Sequence, residues 1–256
     1  MTARPRPEPP SGQAPPRRAR LADGTEVDLA ALAVEVCARY RAEFADEEER
    51  YGEAGELWCR HDNQHIVNWA VLHGETQTGA TLHEMIAKPD AGRIVDQEAV
   101  PILPDELAVE VFGKVTAAAE RVLARSLPRL LAGTAAMHAQ DLSLGSYFGG
   151  RRPEDGRVDW RASAKRVHDL VRAVAPPYPG AFTEVEGKRL RLLRTRLLES
   201  RGAAVQRAFL YSEAGRCLAA CADGGVLEIL EPELDGRPLS AQEFARHIGA
   251  RRVPLH

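Results

Sequence analysis

The sequence has few cysteines, few aromatic residues and no long apolar run. Four cysteines among 256 residues are too few for a disulfide scaffold and are typical of a reducing compartment. No stretch approaches the roughly 18 consecutive apolar residues of a membrane-spanning helix. The basic N-terminus is followed by no apolar segment of the kind that a secretory signal needs. We therefore expect a cytoplasmic protein without a membrane partner.

The chain also lacks a strong excess of charge of either sign. Its formal net charge is −3 and its isoelectric point is near 6.3, so no overall field favours nucleic acid or an acidic membrane. Hydrophobic residues make up 44% and charged residues 28% of the chain, an ordinary composition for a globular protein. The length accommodates one large domain or two small ones.

The N-terminal part divides into a tail and a helical segment. Residues 1–24 are rich in proline and arginine and poor in large apolar side chains. Such a tail is predicted to be disordered, because it can bury little surface; a basic tail that touches nucleic acid or acidic lipid is the alternative. Residues 25–66 predict helices, the first capped by Asp28. A second helix is expected from about Glu53 to Leu72, with Gly74 ending it.

Early in residues 67–143, the spacing of apolar residues changes from a helical to a strand-like pattern. β-Branched residues and partial alternation predict two strands, over Thr76–Ile86 and Ile94–Leu103, joined by a turn at Lys88–Gly92. A long helix is expected next, capped by Asp105 and ended by the glycine that follows Ala132.

Residues 144–256 carry short β-like runs separated by glycines, a pattern that predicts a small barrel. Near the end, Ser240 with Glu243 three residues later predicts a helix with a capping box. The β-like runs are Phe182–Val185, Arg189–Thr195, Arg207–Tyr211, Arg216–Ala220 and Val226–Leu230.

Several stretches resemble, in the same order, the folate-dependent formyltransferase superfamily. The motifs ET-x-TG-x-TLH and DAG are similar to those of the enzyme that formylates UDP-4-amino-4-deoxy-L-arabinose. The motifs GRR-x-P and PYPGAF are shared with methionyl-tRNA formyltransferases. The resemblance covers about residues 67–256, and the N-terminal part does not match. The matching stretches are Val67–Ala70, Gly74–His83, Asp90–Val95, Gly150–Trp160, Val171–Phe182 and Leu227–Phe244.

This resemblance implies an α/β fold followed by a β-barrel. Residues 67–143 would be the C-terminal part of an incomplete Rossmann-like catalytic domain, and residues 144–256 an OB-like barrel domain. The implied formyl donor is 10-formyltetrahydrofolate. The acceptor would be a primary amine, on a nucleotide sugar or, less favoured, on an aminoacyl-tRNA.

Two residues in the match carry the chemistry that the resemblance implies. Acyl transfer to an amine needs a group that takes the amine's proton and donors that stabilise the oxyanion. Asp90 matches the family's catalytic aspartate, and His83 matches a histidine that supports it in related enzymes. Asp90 also suits a plain turn, because aspartate favours turns for its own hydrogen bonds.

The family's Asn-x-His motif is missing from its expected place. A gap-free alignment puts its two residues on Gly52 and Ala54, which cannot do the chemistry. Asn63 and His65 form one such pair, closer to Asp90 than the family spacing. They lie in a predicted helix, where residues two apart point in different directions. The pair is therefore either a catalytic pair or part of a polar helix face.

Other polar residues in the chain allow both a functional and a structural interpretation. Arg151, Arg152 and Arg157 could bind an acceptor's phosphates or belong to a solvated loop. Cys59, His61 and His65 have a spacing that metal sites use, but no fourth ligand is evident, so we predict no metal. Cys217 and Cys221 are expected to be ordinary buried cysteines.

The resemblance leaves two functions open. One is an N-formyltransferase whose donor site is completed by residues that do not match the family. The other is a non-catalytic relative that binds a ligand, tRNA or a protein; a truncated or recombined chain would also fit. In each case the two strands of an incomplete sheet would expose an edge. The N-terminal helices, a second copy or a partner chain could cover it.

Overall fold

The computed structural model describes residues 18–20, 26–28, 67–86, 90–145, 148, 151–198, 204–249 and 251–255. The first elements are two short antiparallel strands, β1 (Arg18–Arg20) and β2 (Glu26–Asp28). They fall where the sequence predicts the end of the tail and the start of the helical segment. The rest of both segments lies outside the described residues, as do Asn63, His65, Cys59 and His61.

A helix and a hairpin follow, as predicted. Residues 67–72 are helical, here called α1, and Gly74 with φ 70° comes directly after its last turn. Strands β3 (Gln77–His83) and β4 (Ile94–Pro101) pair antiparallel, with a register shift between Leu82 and His83. Gly79 is required in β3, because a Cβ there would lie 2.4 Å from the Glu98 carbonyl oxygen.

Helix α2 (Ala108–Leu131) packs against both strands of the hairpin. Its buried residues recur at helical spacing on one face. At the edge of this contact, Arg125 pairs with Asp96 and Glu98 of β4. The Arg125 guanidinium holds the pKa of Asp96 far below its usual range. The buried residues of α2 are Ala108, Val111, Ala118, Val122 and Ser126.

The predicted cap of this helix is wrong. The helix is capped at Leu107, whose backbone N–H donates to Glu110 Oε2 over 2.7 Å, instead of at Asp105. Asp105 lies in the preceding turn, with its Oδ1 3.4 Å from His168 Nε2. The carboxylate that the local pattern assigned to the cap thus lies beside His168, which is 63 residues away in sequence. The helix ends as predicted, before Gly133 with φ 67°.

Beyond α2, the described residues form two short 3₁₀ helices, two α-helices and nine strands. The 3₁₀ helices are Leu142–Leu144 and Pro153–Gly156. The other elements are α3 (Ala164–Val174), β5 (Ala181–Val185), β6 (Lys188–Leu192), β7 (Thr195–Leu198), β8 (Phe209–Glu213), β9 (Arg216–Ala220), β10 (Val226–Ile229), β11 (Pro232–Leu234), β12 (Arg237–Pro238), α4 (Ala241–Ile248) and β13 (Val253–Pro254). The strands form two antiparallel sheets, with the strand orders β13-β8-β9-β10-β7 and β12-β11-β6-β5. Neither sheet closes on itself, so the predicted OB-like barrel is not confirmed.

Helix α4 begins as the sequence predicts. The Ser240 hydroxyl accepts from the Glu243 N–H, and the Glu243 carboxylate accepts from the Ser240 N–H. The predicted β-run Arg189–Thr195, by contrast, is divided between β6 and β7, which belong to different sheets.

Helix α3 is largely buried and joins the hairpin region to the sheets. Its Val167 and Val171 belong to one core with Val111 of α2 and with Leu192 and Leu227 of the sheets. The whole is a mixed α/β arrangement in which every named strand of the described part pairs antiparallel. Across these described ranges, no helix is both long and apolar enough to cross a membrane.

Candidate active site at the hairpin turn

The turn between β3 and β4 carries Asp90. Its backbone has φ 54°, which is uncommon for a residue with a side chain. The carboxylate is 77% exposed and therefore accessible to a ligand. Nearby, Gly92 is buried, and a Cβ on it would lie 1.8 Å from the Glu84 carbonyl oxygen. The DAG sequence therefore has a steric requirement for its glycine.

His83 stands beside this carboxylate at the end of β3. Its Nε2 lies 3.5 Å from Asp90 Oδ1, and its Nδ1 lies 2.8 Å from the Glu84 carbonyl oxygen. The carbonyl only accepts, so Nδ1 carries the hydrogen in the neutral ring and Nε2 presents its lone pair to Asp90. A proton between the two groups would be attracted by both. The turn thus presents a carboxylate oxygen and an imidazole nitrogen side by side to a ligand.

Contacts from two sides fix the turn. On the β3 side, Arg93 makes a bidentate ion pair with Glu84, at 2.7 Å for both nitrogens. On the other side, the Gln140 amide donates to the Asp90 carbonyl over 3.0 Å and also to the Gly92 carbonyl. No local signal in the sequence identifies Gln140, because its partners lie 50 and 48 residues away.

The predicted substrate-binding arginines have different surroundings. The guanidinium carbon of Arg151 lies 5.1 Å from the centre of the Trp69 ring, and its Nη2 donates to the Asp155 carbonyl over 3.1 Å. Burial lowers the pKa of Arg151. Arg152 is exposed, and its backbone N–H donates to Asp155 Oδ2. Arg151 thus joins the loop to α1, whereas Arg152 has its side chain in solvent.

Arg157 has a third kind of environment. It lies 3.3 Å from Glu184, and its guanidinium carbon is 5.3 Å from the centre of the Phe182 ring. It also lines a groove with Asp159, Arg161 and Arg207. The side chain is 60% exposed, so it can reach a ligand more easily than Arg151 can.

Cys217 and Cys221 are free and buried, as predicted. Burial raises the pKa of Cys217 to about 11 and that of Cys221 to about 12. Thiols with such pKa values are poor nucleophiles and poor metal ligands near neutral pH. In the part of the chain that the structure covers, no three histidine, cysteine or acidic side chains are grouped to hold a metal ion.

Two family models match consecutive parts of the chain in the family's order. The model described as formyl transferase matches residues 56–127, and the model described as formyl transferase, C-terminal domain, matches residues 151–249. Together they span more than half of the chain and include the Asp90 turn, α3 and every strand of the two sheets except β13. The chain belongs to the formyltransferase family.

Solved structures with the same fold agree with this assignment. An N-formyltransferase from Helicobacter canadensis, solved with folinic acid and dTDP-3-aminofucose, is 16% identical with a TM-score of 0.54 and matches 64% of this chain and 60% of its own. WlaRD, a sugar 3N-formyltransferase solved with dTDP and 5-N-formyl-THF, is also 16% identical with a TM-score of 0.54. It matches 64% of this chain and 58% of its own.

HypX from Aquifex aeolicus, solved with tetrahydrofolic acid, is 22% identical with a TM-score of 0.51. It matches 72% of this chain but only 32% of its own. The chain thus spans about 60% of the length of the sugar N-formyltransferases and about a third of HypX. At these identities, the likeness describes the fold alone.

Proposed function

We propose that this protein is an N-formyltransferase that moves a formyl group from 10-formyltetrahydrofolate to the primary amine of a nucleotide-linked amino sugar. The observation that carries the proposal is the Asp90–His83 pair, which stands on an accessible turn inside the matched family region. The folate ligands of three structural neighbours and the aminofucose nucleotide of one support the choice of donor and acceptor.

The reaction assigns one task to the pair. The amine nitrogen attacks the formyl carbon, and the bond from that carbon to N10 of the folate breaks. The amine loses a proton and N10 gains one, so the step balances without a further reactant. Asp90 takes the amine's proton, with His83 Nε2 sharing it. Asn63 and His65 are the residues we propose as donors to the oxyanion that forms on the formyl oxygen.

The acceptor's phosphates are assigned to the arginines of the loop after residue 150. Guanidinium groups bind phosphate oxygens through paired N–H donors. Arg157 is the main candidate, because it is exposed beside a groove with two further arginines. Arg151 supports the loop through its contact with Trp69, and Arg152 can add a contact from solvent.

The test is a transfer assay with 10-formyltetrahydrofolate and dTDP-3-aminofucose. Asp90→Asn should lower kcat by about 10²- to 10⁴-fold, the usual contribution of a general base, with binding of 5-formyltetrahydrofolate retained. Asp235→Asn is the matched control, because Asp235 is also an exposed turn aspartate with positive φ. In the same assay Arg157→Gln should raise KM for the acceptor, whereas Arg189→Gln, on the same Phe182 ring, should not.

Two results would contradict this function. Folate binding without transfer to any amino sugar nucleotide would favour the non-catalytic, ligand-binding relative. Full formyl transfer by Asp90→Asn would show that Asp90 does not take the amine's proton.

A further inference from the structure

We propose that Gln140 is a positioning residue for Asp90, acting through the backbone of the turn and not through the substrate. The role rests on the proposed function, because it assigns Gln140 to the support of the proposed base.

The geometry shows one side-chain amide that serves two carbonyls. Gln140 Nε2 donates to the Asp90 carbonyl oxygen over 3.0 Å and to the Gly92 carbonyl oxygen. An amide NH₂ group has two hydrogens, so both are used on the turn. The two carbonyls flank Ala91 and define the course of the backbone immediately after Asp90.

The segment that carries Gln140 is itself fixed to the hairpin. His138 and Ile94 form an antiparallel bridge, in which the Ile94 N–H donates to the His138 carbonyl over 2.7 Å and the His138 N–H donates back over 2.8 Å. Gln140 follows two residues later. Its amide therefore extends from an anchored piece of backbone toward the turn.

The turn needs such support at Asp90 more than elsewhere. The left-handed backbone of Asp90, with φ 54°, is disfavoured for a residue with a side chain. The Asp90 carboxylate is mostly exposed, and its separation from His83 is 3.5 Å, longer than an ordinary hydrogen bond. A shift of about 1 Å in a reacting group can lower a rate by about 100-fold. Loss of the Gln140 contacts should thus affect kcat more than substrate binding.

Two variants and a matched control separate this role from plain packing. Gln140→Ala removes the side chain, whereas Gln140→Glu keeps its length and shape but loses both N–H donors. Gln97→Ala removes a glutamine from β4 of the same hairpin, where Gln97 Nε2 donates to Thr81 Oγ1 over 2.9 Å on the exposed face. Hydrogen exchange over residues 84–95 reports on the turn independently of activity.

Both Gln140 variants should lower kcat by about 10- to 100-fold, with KM for both substrates within about twofold. Exchange over residues 84–95 should be about tenfold faster, and Gln97→Ala should leave both measurements unchanged. Unaltered kcat and exchange in Gln140→Glu would overturn the proposal. If Asp90→Asn is inactive while Gln140→Ala is fully active, only the positioning role fails. If the unmodified protein transfers no formyl group, the proposed function fails with it, and the exchange measurement still shows whether Gln140 holds the turn.

Discussion

At the residue scale, two glycines differ in the space that a Cβ atom would have. Gly92 occupies a place where a Cβ would lie 1.8 Å from the Glu84 carbonyl oxygen, and the Glu84 N–H is itself bonded to the Arg93 carbonyl beside the β3–β4 pairing. Gly113 lies in the middle of α2 with no atom within 4 Å of a Cβ. The first glycine is required by packing, whereas the second only adds flexibility to the unfolded chain.

This difference predicts stability changes of opposite sign. Gly92→Ala should lower the free energy of unfolding by about 1–3 kcal/mol, the usual effect of overpacking. Gly113→Ala should raise it by about 0.5–1 kcal/mol, because alanine is the better helix former. Urea unfolding followed by circular dichroism measures both. A destabilised Gly113→Ala would show that the exposed side of α2 is in contact with something.

At the element scale, α3 holds a histidine whose protonation is opposed by its surroundings. His168 Nε2 lies 3.1 Å from the Pro104 carbonyl and its Nδ1 lies 2.9 Å from Thr195 Oγ1. Burial lowers the pKa of His168 below its ordinary value of 6.5, the carbonyl contact acts in the opposite direction, and Arg172 adds to the lowering. The neutral ring is therefore the form that fits the folded protein.

The lowered pKa sets the direction of a pH effect. The unfolded chain binds this proton more readily than the folded protein, so the contribution of His168 is complete above about pH 6.5 and is lost as the pH falls through the folded pKa. His168→Gln should make the unfolding free energy less sensitive to acid, by up to about 1.4 kcal/mol per pH unit. Denaturant titrations at about pH 7.5 and pH 5 test this, with the exposed His138→Gln as control. An identical acid sensitivity in His168→Gln would contradict it.

At the scale of the whole molecule, a buried ion pair of α3 connects that helix to the segment before α2. Asp169 and Arg172 of α3 have side chains 6% and 4% exposed, with Arg172 Nη2 2.6 Å from Asp169 Oδ1. The other guanidinium nitrogen, Nη1, donates to the Glu106 carbonyl over 3.0 Å and lies 3.4 Å from the Leu103 carbonyl. The pair thus holds the segment before α2 against α3.

Removal of Arg172 should be costly, because the buried Asp169 carboxylate then keeps Lys165 but loses Arg172, and the Glu106 carbonyl loses a donor. Arg172→Met should lower the free energy of unfolding by about 1–3 kcal/mol, the usual effect of leaving buried polar groups without a partner. The double variant Asp169→Leu with Arg172→Met should cost clearly less than the sum of the two single changes. Additive single effects in chemical denaturation would show that the two side chains act independently.

Much of the local structure follows from the sequence. The capping box of Ser240 and Glu243 and the glycines after α1 and α2 lie where the pattern places them. The hairpin and its Asp90 turn could also be predicted, because alternation and turn chemistry act within a few residues. The arrangement of the sheets could not: Arg189–Thr195 predicts one strand, but its two ends join different sheets.

What the sequence determined by itself was the family and many of the local elements; the Asp90–His83 pair stays a prediction from the sequence. Tertiary structure decided the contacts between elements. Asp105 lies beside His168 and does not cap α2, the two sheets are open, and Gln140 contacts the Asp90 turn. The physical reason is the separation along the chain over which each kind of interaction acts. Caps, turns and periodicity depend on neighbours within about four residues, whereas Gln140 and Asp90 meet across 50 residues of chain, where only packing determines which groups come together.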